Sequence, residues 1–161
     1  GHLYLPKGAG PFPVVVLQHG TGSVENSRPW INKIVPELNR NQLGVFVADS
    51  YSMRKAGMNN VENLSFSSRV LDGFQILTAL SKYPKVDVKR IGIQGYSYGG
   101  MVALFTSYQE LSDQLAQDLI TPHIYQFIQV VILLSDTWII LPRPWKWFWR
   151  NWMSMHLRRT V

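Results

Sequence analysis

The 161-residue chain contains no cysteine, which excludes disulfide staples, thiol nucleophiles and thiolate metal sites while leaving the compartment open. It also lacks an apolar run of membrane length. The longest, Ile124 to Leu134, falls short of the ~20 residues a spanning helix needs, and Asp136 interrupts it before Trp138-Ile139-Ile140-Leu141. That run fits a buried strand. Charged residues are sparse, 16% against 46% hydrophobic, the balance of a globular domain. Acidic residues stop altogether at Asp136. Residues 137–161 then hold five of the 16 basic residues and five of the six tryptophans (138, 145, 147, 149 and 152). The net charge of +6 therefore belongs mostly to the tail. The nearly neutral body offers no nucleic-acid surface. The chain opens on Gly1 rather than methionine, so its N-terminus reads as incomplete, and localisation stays open between cytoplasm and periplasm.

Strand and helix patterns alternate along the body. His2-Leu3-Tyr4-Leu5-Pro6 is strand-like. Val14-Val15-Val16-Leu17 is a β-branched and aliphatic run that fits a strand buried on both faces. After the turn Thr21-Gly22-Ser23, apolar Ile31, Ile34, Val35 and Leu38 predict a helix from about Arg28 to Gln42, kinked or divided at Pro36. Leu43 to Asp49 predicts a second buried strand. Ser65 is a candidate cap for a helix carrying Phe66, Val70, Phe74, Leu77 and Leu80, ended by Tyr83-Pro84. Val88 to Gly95 predicts a third strand, and a helix follows from Tyr98 towards Leu119. A last strand lies near Phe127 to Leu134. Parallel strands need crossover connections, so this order implies an α/β parallel sheet with helices on both faces.

One segment carries chemistry directly. Gly95-Tyr96-Ser97-Tyr98-Gly99 is G-x-S-x-G placed between a predicted strand and a predicted helix, the setting in which the pattern forms a nucleophile elbow. There a serine on a strained turn is lifted off the sheet, and the helix N-terminus sets N–H groups and a positive dipole end beside it. An oxyanion needs a second donor. In known elbows of this kind the residue after the serine, here Tyr98, gives one N–H and the loop after an earlier strand the other, for which Thr21 in His19-Gly20-Thr21-Gly22 is the best candidate. Tyr96 and Tyr98 flank the serine, so Tyr96 is a candidate lining residue of an acyl pocket, with packing into the domain an equal alternative. Asp49, at a strand end, and Arg54 are read as an ion pair that orders their loop, or as substrate contacts, the structural role being preferred.

Leu3-Tyr4-Leu5-Pro6, Pro11-Phe12-Pro13-Val14-Val15-Val16, His19-Gly20, Asp49-Ser50-Tyr51 with Arg54, Val86-Asp87-Val88 with Arg90-Ile91, and Gly95 to Gly100 together resemble the dienelactone hydrolase-like branch of the α/β-hydrolases, over about residues 1–125. The resemblance implies a three-layer α/β-hydrolase-type sheet, apparently truncated at both ends. It also implies hydrolysis of a small-molecule ester or lactone with no cofactor and no metal. Dienelactone hydrolases proper use a cysteine nucleophile. Serine here favours a broader esterase or peptidase-like relative. The family's base follows its nucleophile in the chain, so the resemblance makes His19 a structural residue of its loop.

In the family order the acid comes next after Ser97 and the histidine last. Asp136 is the candidate acid. His156 is in order as base, whereas His123 precedes the last strand and is out of order. The domain is therefore read as an α/β-hydrolase core over 1–136 and a basic, Trp-rich tail over 137–161. The tail has three readings: a surface for anionic membrane or a partner, a helix docking its tryptophans on the core, or a sequence foreign to the domain, joined by truncation or a shifted frame. The third is favoured. The matching functional alternatives are a serine hydrolase, a catalytically incomplete fragment, and a membrane- or partner-binding module. Oligomeric state stays open.

Overall fold

The computed structural model describes residues 1–55 and 64–107 in full and the backbone of two further strands. In chain order the elements are β1 (His2–Tyr4), β2 (Phe12–Gln18), α1 (Ser23–Arg40), β3 (Gly44–Val47), a 3-10 turn (Ser52–Arg54), α2 (Phe66–Leu80), β4 (Val86–Tyr96), α3 (Tyr98–Thr106), β5 (Gln129–Leu134) and β6 (Thr137–Ile140). They build one sheet in the order β1-β3-β2-β4-β5-β6. The inner strands β3, β2, β4 and β5 run parallel. The sheet is mixed rather than wholly parallel, because β1 joins β3 and β6 joins β5 antiparallel. Strand β6 begins only two residues after β5 ends, too few for a parallel crossover, which takes about a dozen residues. The first residues of the tail, 137–140, therefore pair with the sheet.

Every residue of β2 is buried, as two covered faces require. Successive side chains alternate between faces. Val14 and Val16 meet Val70, Phe74 and Leu77 of α2 on one side, while Val15 and Leu17 meet Ile31, Ile34, Val35 and Leu38 of α1 on the other. These two apolar clusters define the three layers.

Helix α1 corrects two expectations. It begins at Ser23, not Arg28, and it runs unbroken through Pro29 and Pro36. An interior proline costs a helix ~3 kcal/mol. Four buried aliphatic side chains, each contributing about 1.5–3 kcal/mol, outweigh that and hold the second half in place. The early start adds Glu25 to the first turn, where it favours the helix dipole and pairs with Arg28 at 2.6 Å. Helix α2 is as expected: Ser65 caps it, its side chain accepting the Ser68 N–H at 3.2 Å, and Val70, Phe74, Leu77 and Leu80 are buried. Helix α3 ends at Thr106, short of the expected run, and residues 108–119 lie outside the described part.

Candidate active site

The β2–β4 register pairs Leu17 with Gln94 and Gln18 with Gly95, which brings the end of β2 against the turn at the end of β4. Strand β4 stops at Tyr96, α3 starts at Tyr98, and Ser97 alone connects them. Its backbone sits at φ 52, ψ −123, a combination that costs a non-glycine residue of the order of 1–3 kcal/mol. The flanking glycines let the turn close this tightly. A side chain on Gly95 would overlap the Gly99 carbonyl, and one on Gly99 would overlap the carbonyl oxygen of Gln18. The Ser97 carbonyl accepts the N–H of Gly100 at 2.8 Å and that of Met101 at 3.3 Å, so the helix starts at once. The N–H groups of Tyr98 and Gly99 belong to the first turn, which has no intrahelical acceptor. Ser97 is exposed and Tyr98 half-buried.

The loop after β2 lies beside this serine. A Cβ placed on Gly20 would stand 3.5 Å from the Tyr96 carbonyl oxygen and 3.9 Å from Ser97 Cβ. His19 holds the loop from within. Its Nδ1 lies 2.7 Å from the Gly20 carbonyl oxygen, and its Nε2 receives the Ser50 N–H at 3.4 Å. A carbonyl can only accept and an N–H only donate, so the ring is neutral, with its proton on Nδ1. Burial, followed by the nearby Arg69 cation, lowers its pKa from 6.5 to about 4. The ring also meets Tyr51 edge-on, with centroids 4.5 Å apart. Both nitrogens are thus engaged inside the protein, away from any role as a base. Thr21 is exposed in the turn that follows.

The expected Asp49–Arg54 pair does not form. Asp49 turns back on its own loop, accepting the N–H of Tyr51 at 3.1 Å, the N–H of Ser52 at 3.0 Å and the Ser52 hydroxyl at 2.6 Å. Partial burial raises its pKa, but these hydrogen bonds outweigh it, and the net shift is downward. Arg54 instead reaches α2, where it grips both carboxylate oxygens of Asp72 at 2.7 Å and donates to the Ser50 carbonyl at 2.9 Å. Such a fork-to-fork pair ties the loop after β3 to α2.

A cavity of about 250 Å³ opens beside the serine turn, lined by Gln18, His19, Gly20, Asn26, Ser27, Trp30 and Tyr96. Tyr96 is half exposed at its rim. Sequence reasoning reached Tyr96 and the His19–Gly20 turn but missed Asn26, Ser27 and Trp30, because it placed the start of α1 beyond the first two. It missed Arg69 as well. This residue is wholly buried on α2 and donates to the His19 carbonyl at 2.7 Å. Its only signal in the sequence was a cation next to Val70 in an apolar stripe. Asp136, His123 and His156 lie outside the described residues. Among the described residues no cluster of side chains could hold a metal ion.

A mixed sheet with a parallel centre between two helical layers, with a strained serine at the end of an inner strand, has the architecture of an α/β-hydrolase. Two solved structures share that fold. A putative carboxylesterase from Lactobacillus plantarum matches with a TM-score of 0.54 and 17% identity, over 82% of this chain and 51% of its own. A glucuronoyl esterase from Solibacter usitatus matches with a TM-score of 0.52 and 18% identity, over 78% of this chain and 41% of its own. The chain therefore spans about half the length of these structures or less. No curated protein matches by sequence. A family model described as esterase FrsA-like matches residues 1–132, and the chain belongs to the FrsA-like esterase family. The superfamily read from the sequence is the one found.

Proposed function

We propose that the chain carries the nucleophile of a hydrolase of carboxylic ester or lactone bonds, and that Ser97 is that nucleophile. The observation that carries this reading is the backbone of Ser97 at φ 52, ψ −123, on an exposed turn between β4 and α3 with the Gly20 loop alongside. Strain of this kind persists only where surrounding structure enforces it, and here it presents a hydroxyl at a helix N-terminus. Ser97 Oγ attacks the substrate carbonyl carbon and its proton passes to a base. The carbonyl oxygen becomes an oxyanion held by the N–H groups of Tyr98 and Thr21. The C–O bond to the alcohol breaks, the alcohol leaves protonated, and water then cleaves the acyl-serine ester. Asp136 and His156, in the order acid then base, complete the triad in this reading. The cavity at Trp30 and Tyr96 receives one arm of the ester. Its volume of about 250 Å³ is below the usual 300–1,000 Å³ of drug-sized sites, which favours a short acyl chain or a single ring.

A second reading, a hydrolase core that does not turn over, is favoured by one observation. The described histidine nearest Ser97, His19, has both ring nitrogens committed. Turnover of p-nitrophenyl acetate separates the two. Release of p-nitrophenol by the wild-type chain that is lost in Ser97→Ala supports the enzyme. A well-folded wild type with no release above buffer refutes it.

A further inference from the structure

We propose that Arg69 is a positioning residue that sets the oxyanion-binding loop, gripping the His19 carbonyl while it packs against the ring of Tyr98; this rests on the Ser97 reading above. Its guanidinium is wholly buried. Nη2 donates to the His19 carbonyl oxygen at 2.7 Å, across 50 positions of sequence. The guanidinium carbon lies 5.3 Å from the centroid of the Tyr51 ring and 5.0 Å from that of Tyr98, close enough for cation–π attraction to both. Among the described residues Nε and Nη1 have no partner within hydrogen-bonding geometry.

Among the described residues no carboxylate forms an ion pair with this cation, although Asp72 lies near enough to favour its charge. Asp72, its nearest acid on α2, is gripped by Arg54, and Asp49 is occupied by its own loop. A buried ion without a counter-ion costs several kcal/mol, and a methionine or leucine would fill the same space without that penalty. Stability alone therefore does not account for an arginine here. Geometry does. In a trans peptide the carbonyl and the N–H point in opposite directions. Anchoring the His19 carbonyl on Arg69 turns the Gly20 N–H away from α2. The His19 ring in turn anchors the Gly20 carbonyl, which aims the Thr21 N–H away from the imidazole. Gly20 itself lies against Tyr96 and Ser97. The same guanidinium packs against the side chain of Tyr98, whose N–H is the other donor. Both sides of the oxyanion site thus rest on one planar, permanently charged group. Donation from that charge also polarises the His19–Gly20 peptide. Lysine keeps the charge but lacks the flat fork that can donate and lie against rings at once.

The test uses Arg69→Met and Arg69→Lys in the whole chain, with two readouts. In p-nitrophenyl acetate hydrolysis both variants should lose kcat, Arg69→Met by ~10²-fold, comparable to removing an oxyanion donor, with KM within about threefold of wild type. Arg69→Lys should fall between them. In ¹⁵N-labelled protein the amide of Ser50, which donates to His19 Nε2, should exchange with solvent about tenfold faster or more in Arg69→Met, while amides of β2 and β4 keep their protection. The proposal is overturned if Arg69→Met keeps kcat, or if loop and core amides lose protection together, the mark of a general packing role. Should the wild type show no hydrolysis, the Ser97 reading fails. Exchange at Ser50, bonded to the His19 ring, then still decides whether Arg69 holds the loop.

Discussion

Strand β2 crosses two different environments within its length. From Val14 to Leu17 it is wholly apolar, and its alternate side chains fill the clusters under α2 and α1. From Gln18 onward it enters a buried polar zone with His19, Ser50, Tyr51 and Arg69. Six side-chain atoms there have no hydrogen-bond partner among the described residues: Gln18 Nε2 and Oε1, Ser50 Oγ, the Tyr51 hydroxyl, and Arg69 Nε and Nη1. Each such group costs about 1–3 kcal/mol relative to a satisfied one, whereas the apolar stretch gains with every methylene it buries. The lower part of the strand stabilises the fold, and the upper end gives up stability to hold backbone groups in place beside Ser97. Strained φ/ψ at Ser97 belongs to the same end of the sheet. On the proposed reading, function and stability are separated along one strand by only a few residues.

Substitutions can break or sharpen this division. Ser97→Ala has the largest expected effect: ester turnover falls by at least ~10³-fold while the melting temperature stays within a degree or so of wild type. A matching loss of stability would show that the serine turn belongs to the core after all. Leu77→Ala, in the apolar zone, should do the reverse. It should destabilise by about 2–5 kcal/mol in denaturant unfolding and leave the turnover of the molecules that remain folded unchanged.

Acid should act on the polar zone through His19. Its pKa is about 4 when folded against 6.5 when free, so the unfolded chain takes up a proton that the folded chain refuses. The contribution of this group is intact above about pH 6.5 and is lost as the pH falls to about 4, a loss of roughly 3 kcal/mol. Replacement by Asn retains a donor towards the Gly20 carbonyl but removes the titration. His19→Asn should therefore flatten the melting temperature over that window relative to wild type. Parallel curves would contradict the neutral, buried assignment. The smallest effect is expected at the cavity wall. Trp30→Ala should raise kcat/KM for p-nitrophenyl hexanoate over the acetate by about tenfold, the effect of seating one further methylene at ~1–3 kcal/mol. An unchanged preference would place the substrate elsewhere.

Much of the scaffold was legible because its signals are local. The β-branched run of β2 marks a strand buried on both faces, and Ser65 with the spacing of Val70, Phe74 and Leu77 marks both the start and the buried face of α2. Local rules failed where a tertiary contact outweighed them. Pro36 should have broken α1, but the stripe of Ile31, Ile34, Val35 and Leu38 pressed on the sheet keeps it whole. Asp49 and Arg54 are close in sequence and opposite in charge, yet the carboxylate is taken by nearer backbone N–H groups and the arginine by Asp72, 18 positions away. Of the candidate site, the serine turn and the His19–Gly20 loop could be read from glycine spacing. Arg69 could not, because arginine on a helix ordinarily marks a solvated face. Only packing reveals that this one points inward. Trp30 was equally hidden, since its role depends on where α1 approaches the end of β2.

The proposed chemistry depends on Ser97 being an activated nucleophile. The most direct measurement is intact-protein and peptide mass spectrometry after exposure of the folded chain to a fluorophosphonate, which phosphonylates activated serines by displacing fluoride. One adduct per chain on the peptide containing Ser97, absent from Ser97→Ala, is the expected outcome. A folded chain that stays unmodified, or that carries its adduct on another residue, would contradict it.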